Sequence, residues 1–165
     1  MATMKRREAR EEVFRLLYET EFRKEVSPEE IYELAREARE LTDNEYVRST
    51  YFGVRERLGE IDEMIARHAN GWRIDRIAPV SRSILRLCVY EMQWGKDVPT
   101  VVALNEAIEL DKQFDDPKAK AFVNGVLNGV KNELESRQAE GKQTEQPKPE
   151  AVATVSDTAE AGEDA

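Results

Sequence analysis

The sequence predicts an all-α chain. Apolar residues recur at three- and four-residue spacing through most of residues 4–136, and no segment alternates with period two for long enough to form a strand. Serine, aspartate, asparagine and proline fall where helices should begin. Together these patterns predict a seven-helix bundle, with room for two three-helix subdomains.

The first helix covers about 4–22, with Val13, Phe14, Leu17 and Phe22 as its apolar residues. "SPEE" (27–30) starts the second: Ser27 is the N-cap, Pro28 takes the first position and Glu30 completes a capping box. That helix should run to about Leu41. "TDN" (42–44) caps a long third helix, about 45–69, whose stripe is Val47, Tyr51, Val54, Leu58, Ile61 and Ile65, with Gly59 as a place to bend. "NGW" (70–72) breaks the chain, and a short turn follows at 74–77. With that turn counted as the fourth helix, Pro79 opens the fifth, to about Trp94, and "GKDVP" (95–99) ends it. Pro99 begins the next, to about Phe114. "DDP" (115–117) begins the last, to about Ser136.

Residues 1–137 therefore form the helical domain. Residues 138–165 are rich in Glu, Ala, Thr, Gln and Pro, carry a net charge of −5, and have Val152 and Val155 as their sizeable apolar residues. Such a segment buries too little to offset its ordering entropy, so a disordered acidic tail is expected. The chain has 165 residues and a net charge of −9. Its single cysteine, Cys88, lies in an apolar run, which excludes a disulfide framework and suggests a core thiol in a reducing compartment. No apolar run is long enough for a membrane span, and "MATMKRREAR" lacks the apolar region of a secretory signal. A cytoplasmic location is expected.

Three local patterns are unusual. The first ten residues carry a net charge of +3 through Lys5, Arg6, Arg7 and Arg10 against Glu8. Cations at a helix N-terminus oppose the macrodipole. Arg6 and Arg10 also lie on the stripe that later holds Val13 and Leu17, where a frayed end or a bound anion would explain them. Screening confines charge effects to roughly 10 Å, so a local basic patch on an acidic protein can still bind phosphate. Next, Arg82, Arg86 and Tyr90 repeat every fourth residue, either as a surface ladder or as a binding strip. The third pattern is "KAFVNGVLNGV" (120–130). Phe122, Val123, Val126, Leu127 and Val130 share one arc, with Gly125 and Gly129 at its margin and Asn124 and Asn128 on another side. Lys118 and Phe122 lie on the glycine strip. A lysine beside an edge aromatic suits base stacking and a phosphate contact, whereas plain helix packing would place Phe122 in the core.

"RREAREEVFRLLYETEF", "SILRLCVYEM" followed by "VPTVVALNEAIELDKQF", and "FVNGVLNGV" together resemble the bacterial transcription antitermination factor NusB family, over nearly all of residues 4–135. The resemblance implies two stacked three-helix bundles. It implies binding to boxA RNA of ribosomal RNA leader transcripts together with NusE, a small-subunit ribosomal protein. That complex joins RNA polymerase and suppresses termination. By the same resemblance Lys5, Arg6, Arg7 and Arg10 form the RNA-binding motif, weakened where Glu8 replaces a family arginine. Phe122 matches the RNA-stacking aromatic, and Lys118 replaces an acid of some members. Arg86 falls near the RNA surface. Tyr18, Arg82 and Tyr90 are expected on the protein-partner surface, around the fifth helix and the end of the first.

An enzyme reading finds little support. A NusB-like domain also precedes certain ribosomal RNA methyltransferases, but a Gly-rich cofactor motif is missing from this sequence. His68 is the single histidine and suits a helix C-terminus; no metal, cofactor or catalytic triad is implied. Glu91 falls on an apolar arc and reads as a paired structural acid, while Glu106 and Glu109 read as helix-face charges. The remaining alternative is a protein-interaction module, including a homodimer that covers the RNA surface.

Overall fold

The computed structural model describes residues 4–39 and 44–145. Among them are seven α-helices: α1 (Arg6–Glu21), α2 (Pro28–Ala38), α3 (Glu45–Glu56), α4 (Leu58–Arg67), α5 (Pro79–Trp94), α6 (Thr100–Phe114) and α7 (Lys120–Glu145). Short 3₁₀ turns occupy Ile74–Arg76 and Pro117–Ala119. Helices α1, α2 and α3 touch pairwise and form one three-helix group, while α5 packs on α4 and α6 in a second. Both α1 and α3 also pack on α5, so α5 is the common element. Its buried residues include Ile84, Leu85, Leu87, Cys88 and Val89. Burial pushes the Cys88 thiol well up, as suits a core residue.

The helix starts follow local chemistry. The Ser27 hydroxyl accepts the Glu30 N–H at 3.2 Å, with Pro28 in the first helical position. The Asn44 side chain accepts the Val47 N–H at 3.0 Å; Thr42 and Asp43 of the expected cap lie outside the described residues. At α1, the Lys5 backbone N–H donates to Glu8 at 2.9 Å. An acid in the first turn also favours the dipole, which accounts for Glu8 amid the cations.

Two expectations need correction. The long third helix is two helices, α3 and α4, which meet at Arg57 (φ −107°, ψ 21°) rather than bending at Gly59. The break lets Ile61, Met64 and Ile65 turn onto α5. The last helix begins at Lys120, because a 3₁₀ turn capped by Asp116 takes residues 117–119. It also runs on to Glu145, past the expected end near Ser136. One compact unit ends at Lys131 and a second begins at Asn132, where α7 continues as helix and Arg137 pairs with Glu133. The rest of the expected tail, 146–165, lies outside the described residues.

The two glycines of α7 differ. A Cβ on Gly129 would lie 2.5 Å from His68 Nδ1 and 3.1 Å from His68 Cβ, so this glycine makes room for the residue that ends α4. A Cβ on Gly125 would meet nothing within 4 Å. Gly125→Ala should therefore stabilise the fold by up to about 1 kcal/mol through helix propensity. Gly129→Ala should destabilise it, because overpacking against the ring outweighs that gain. Opposite shifts in thermal midpoint are the expected result, and equal shifts would refute the distinction.

Candidate nucleic-acid interface

The cations at the start of α1 have separate fates. Arg10 is buried, at 6% relative exposure. Its Nε lies 2.9 and 3.1 Å from the two oxygens of Glu91, itself 2% exposed. Tyr46 donates its hydroxyl to the same carboxylate at 2.7 Å. Burial works against the Arg10 charge, but the hydrogen bond and charge of Glu91 outweigh it and raise its pKa. Burial, with the Glu91 charge, also drives the Tyr46 pKa up. The anion expected at this end of the stripe is therefore internal, and Glu91 is the paired structural acid anticipated. Arg10, expected among the RNA-contacting cations, is buried with its Nε engaged by Glu91.

Lys5, Arg6 and Arg7 remain exposed. The Arg6 guanidinium stacks 4.1 Å from the Tyr46 ring centroid. Arg7 stays 63% exposed while pairing with Glu106 at 2.8 Å, and its hydrogen bond and charge lower the Glu106 pKa. Tyr90 shares a cavity with Arg6 and Tyr46. The Tyr90 hydroxyl packs against Gly53, where a Cβ would collide with it.

Arg86 and Arg82 do not form an exposed ladder. Arg86, 8% exposed, donates to Asp62 at 2.9 and 3.0 Å and to Glu21 at 2.8 Å. Arg82 pairs with Glu21 and donates to the carbonyls of Ile74 and Ile77 at 3.1 and 2.8 Å. Burial opposes the Glu21 charge, yet the two guanidinium groups hold its pKa below the usual value. Arg86, expected near the RNA, and Arg82, expected on the partner surface, both tie α5 to its neighbours. Tyr18 lies elsewhere, between Phe14 (6.1 Å) and Phe22 (4.9 Å) in a row that Phe114 extends. Phe22 is 60% exposed, so this row has an open end.

Lys118 and Phe122 are brought together. Both line a groove of about 430 Å³ with Trp72, Arg76, Ile77 and Ala119. Lys118 is exposed and sits on the 3₁₀ turn, and Phe122 is half-buried, with its centroid 6.1 Å from that of Trp72. In sequence Trp72 is part of the "NGW" chain break, and an aromatic directly after an Asn-Gly turn is the signal that marks it. Beneath the groove, Asp115 accepts the Ser81 hydroxyl at 2.6 Å. Burial, together with the Asp115 carboxylate, pushes the buried Asp111 carboxyl up to about 7.

The seven-helix fold, with exposed cations at the start of α1 and at Lys118, is that of the all-α NusB-like class. Residues 7–132 match the NusB family model. Transcription antitermination protein NusB of Bacillus velezensis is 47% identical over 133 residues, covering 81% of this chain and all of that protein. Its namesake from Bacillus subtilis strain 168 is 44% identical over 132 residues, covering 80% and 98%. Among solved structures, T. maritima NusB aligns with a TM-score of 0.71 at 33% identity, covering 80% of this chain and 94% of that one. A crystal structure of the antitermination factors NusB and NusE in complex with dsRNA gives 0.69 at 30% identity, covering 78% and 96%. The chain belongs to the NusB family.

Arg10→Ala should cost about 3–5 kcal/mol, since it leaves a buried carboxylate without its cation, whereas Arg6→Ala should change stability by less than about 0.5 kcal/mol. Urea denaturation of the two variants tests this; similar midpoints would contradict the assignment. Asp111 predicts a pH effect. Between its unfolded value, 3.8, and about 7, the folded chain keeps a proton that the unfolded chain has lost. Its contribution is fully present below about pH 4 and disappears as pH rises to about 7. Asp111→Asn should flatten stability against pH across that window relative to wild type. Parallel curves would show that Asp111 does not hold the proton.

Proposed function

We propose that this chain is a transcription antitermination protein. In this reading it binds boxA-type RNA of ribosomal RNA leader transcripts together with NusE and acts on RNA polymerase in the cytoplasm. The observation that carries the reading is the set of exposed cations at the start of α1. Lys5, Arg6 and Arg7 stand where the helix dipole disfavours them, and an anionic ligand would compensate. Support comes from the NusB relatives named for antitermination and from the related factors solved with dsRNA. Phe122 and Lys118 in their shared groove add a second contact of suitable chemistry. The aromatic row through Tyr18 to exposed Phe22 gives a protein partner such as NusE an apolar anchor.

Arg6→Ala combined with Arg7→Ala should weaken binding of a boxA-type RNA and reduce the slope of log affinity against log salt by roughly two, about one per lost phosphate contact. The melting curve should hardly move, because both side chains are exposed. Fluorescence anisotropy of labelled RNA across a salt series measures both quantities. Unchanged affinity and slope would remove the α1 patch from the interface.

A further inference from the structure

A cavity of about 610 Å³ lies at the C-terminal end of α1. Helix α1 has 16 residues, so about 24 Å of helix separates this end from the cations at its start. The walls come from α1, the loop at 24–27, α3, α4, the first 3₁₀ turn and α5. Val26, Leu58 and Ile74 make part of the wall aliphatic, and none of the described residues that line it is aromatic.

Four cations line the cavity, and they differ in what they already hold. Arg82 and Arg86 share Glu21, and Arg86 also holds Asp62, so this group is internally neutral. Lys24 and Arg55 have no such partner: among the described residues neither makes a hydrogen bond or an ion pair. Arg55 is half-buried, and its Nε–H is shut off from water without an acceptor. The Nε–H of Arg82 is in the same position. Burying a donor without an acceptor is costly, and a half-buried guanidinium without a counterion is more so. Two such N–H groups on one cavity are suited to an acceptor that enters it. Of the acids, Asp75 already pairs with Arg73 at 2.8 Å, and Glu25 is exposed.

We infer that this cavity binds a sugar or polyol phosphate, its phosphate held by Lys24 and Arg55 and its carbon skeleton laid against Val26, Leu58 and Ile74. Two cations without partners match a phosphate monoester, which carries about −1.5 to −2 charges at neutral pH. Its free oxygens accept from groups on separate elements, whereas a carboxylate offers one charge and two oxygens. Glu25 and Asp75 also line the cavity and accept hydroxyl groups, which a polyol has and a hydrocarbon tail lacks. A nucleobase is a poorer fit, because its π-face finds no ring to stack on. The volume is that of a small-molecule site. The inference concerns the opposite end of α1 from the cationic patch and does not depend on the RNA-binding reading.

Glycerol phosphate and inorganic phosphate are the probes. The Arg55 Nε–H, shielded from water, is observable in a proton–nitrogen NMR spectrum and is assigned by its loss in Arg55→Gln. Titrating the full chain with glycerol phosphate should shift this signal to saturation. Inorganic phosphate should need a higher concentration, because it leaves the aliphatic wall bare. In calorimetry, Arg55→Gln should weaken glycerol phosphate binding about ten- to a hundredfold, the loss of one charged hydrogen bond. The thermal midpoint of the ligand-free variant should hold or rise, because Arg55 has no internal partner to lose. If that variant fails to fold, Lys24→Gln, at an exposed position, gives the same comparison. The absence of a saturable shift overturns the inference, as does a shift that sodium chloride reproduces at equal ionic strength. Equal affinity for the two probes, or equal binding by wild type and variant, also overturns it. Binding kept in Arg55→Gln but lost when Arg6→Ala and Arg7→Ala are combined places the phosphate at the start of α1 and overturns it too.

Discussion

A buried carboxylate sets the geometry of this bundle. Glu91 sits on α5, the helix that touches α1, α3, α4 and α6, and it accepts hydrogen bonds from Arg10 on α1 and Tyr46 on α3. Exchanging such a pair for apolar residues is often neutral or stabilising, so its net contribution to stability is modest. Its effect on register is larger. One carboxylate with donors from two helices fixes where α1 and α3 cross α5, because an axial shift of either would strand a charge or a hydroxyl in the core. A second network repeats the device lower on α5, where Arg82 and Arg86 meet Glu21 of α1 and Asp62 of α4.

Much of the fold is legible in local sequence. Caps and prolines mark the starts of α2, α3 and α5 because their effects act within one helical turn. The junction at Arg57 is not legible. It has no capping side chain and no proline, Gly59 lies two residues beyond it, and the stripe from Val47 to Ile65 runs through it unbroken. Packing on α5 decides that break, and packing is a long-range property. The start of α7 differs for the opposite reason. "DDP" does carry a cap, but it caps a 3₁₀ turn before the helix proper.

The candidate site was legible in residue type more than in role. An arginine on a helix stripe looks the same whether its counterion is a phosphate in solution or a carboxylate 81 residues away. Local periodicity therefore placed Arg6, Arg10, Arg82 and Arg86 on candidate strips without separating free from occupied guanidinium groups. Burial separates them. The repeating glycines show the same limit: Gly125 and Gly129 are equivalent on a helical wheel, yet one faces open space and the other faces His68.

That separation bears on how an acidic protein can hold RNA. Arg10 cannot exchange Glu91 for a phosphate without leaving a charge in the core, and several kcal/mol oppose that step. Arg7 differs. Its partner Glu106 is 17% exposed and Arg7 itself is 63% exposed, so the pair is screened and contributes little. A phosphate that displaces Glu106 therefore costs the fold little, and the released carboxylate stays within reach of water. The same carboxylate competes with the phosphate for Arg7, which lowers affinity for any isolated anion. A ligand that contacts Lys5, Arg6 and Arg7 together offsets this competition by summing several phosphate contacts, and a lone phosphate cannot. The internal acids thus favour an extended polyanion over small ions, while the buried Arg10–Glu91 pair ties the start of α1 to α5.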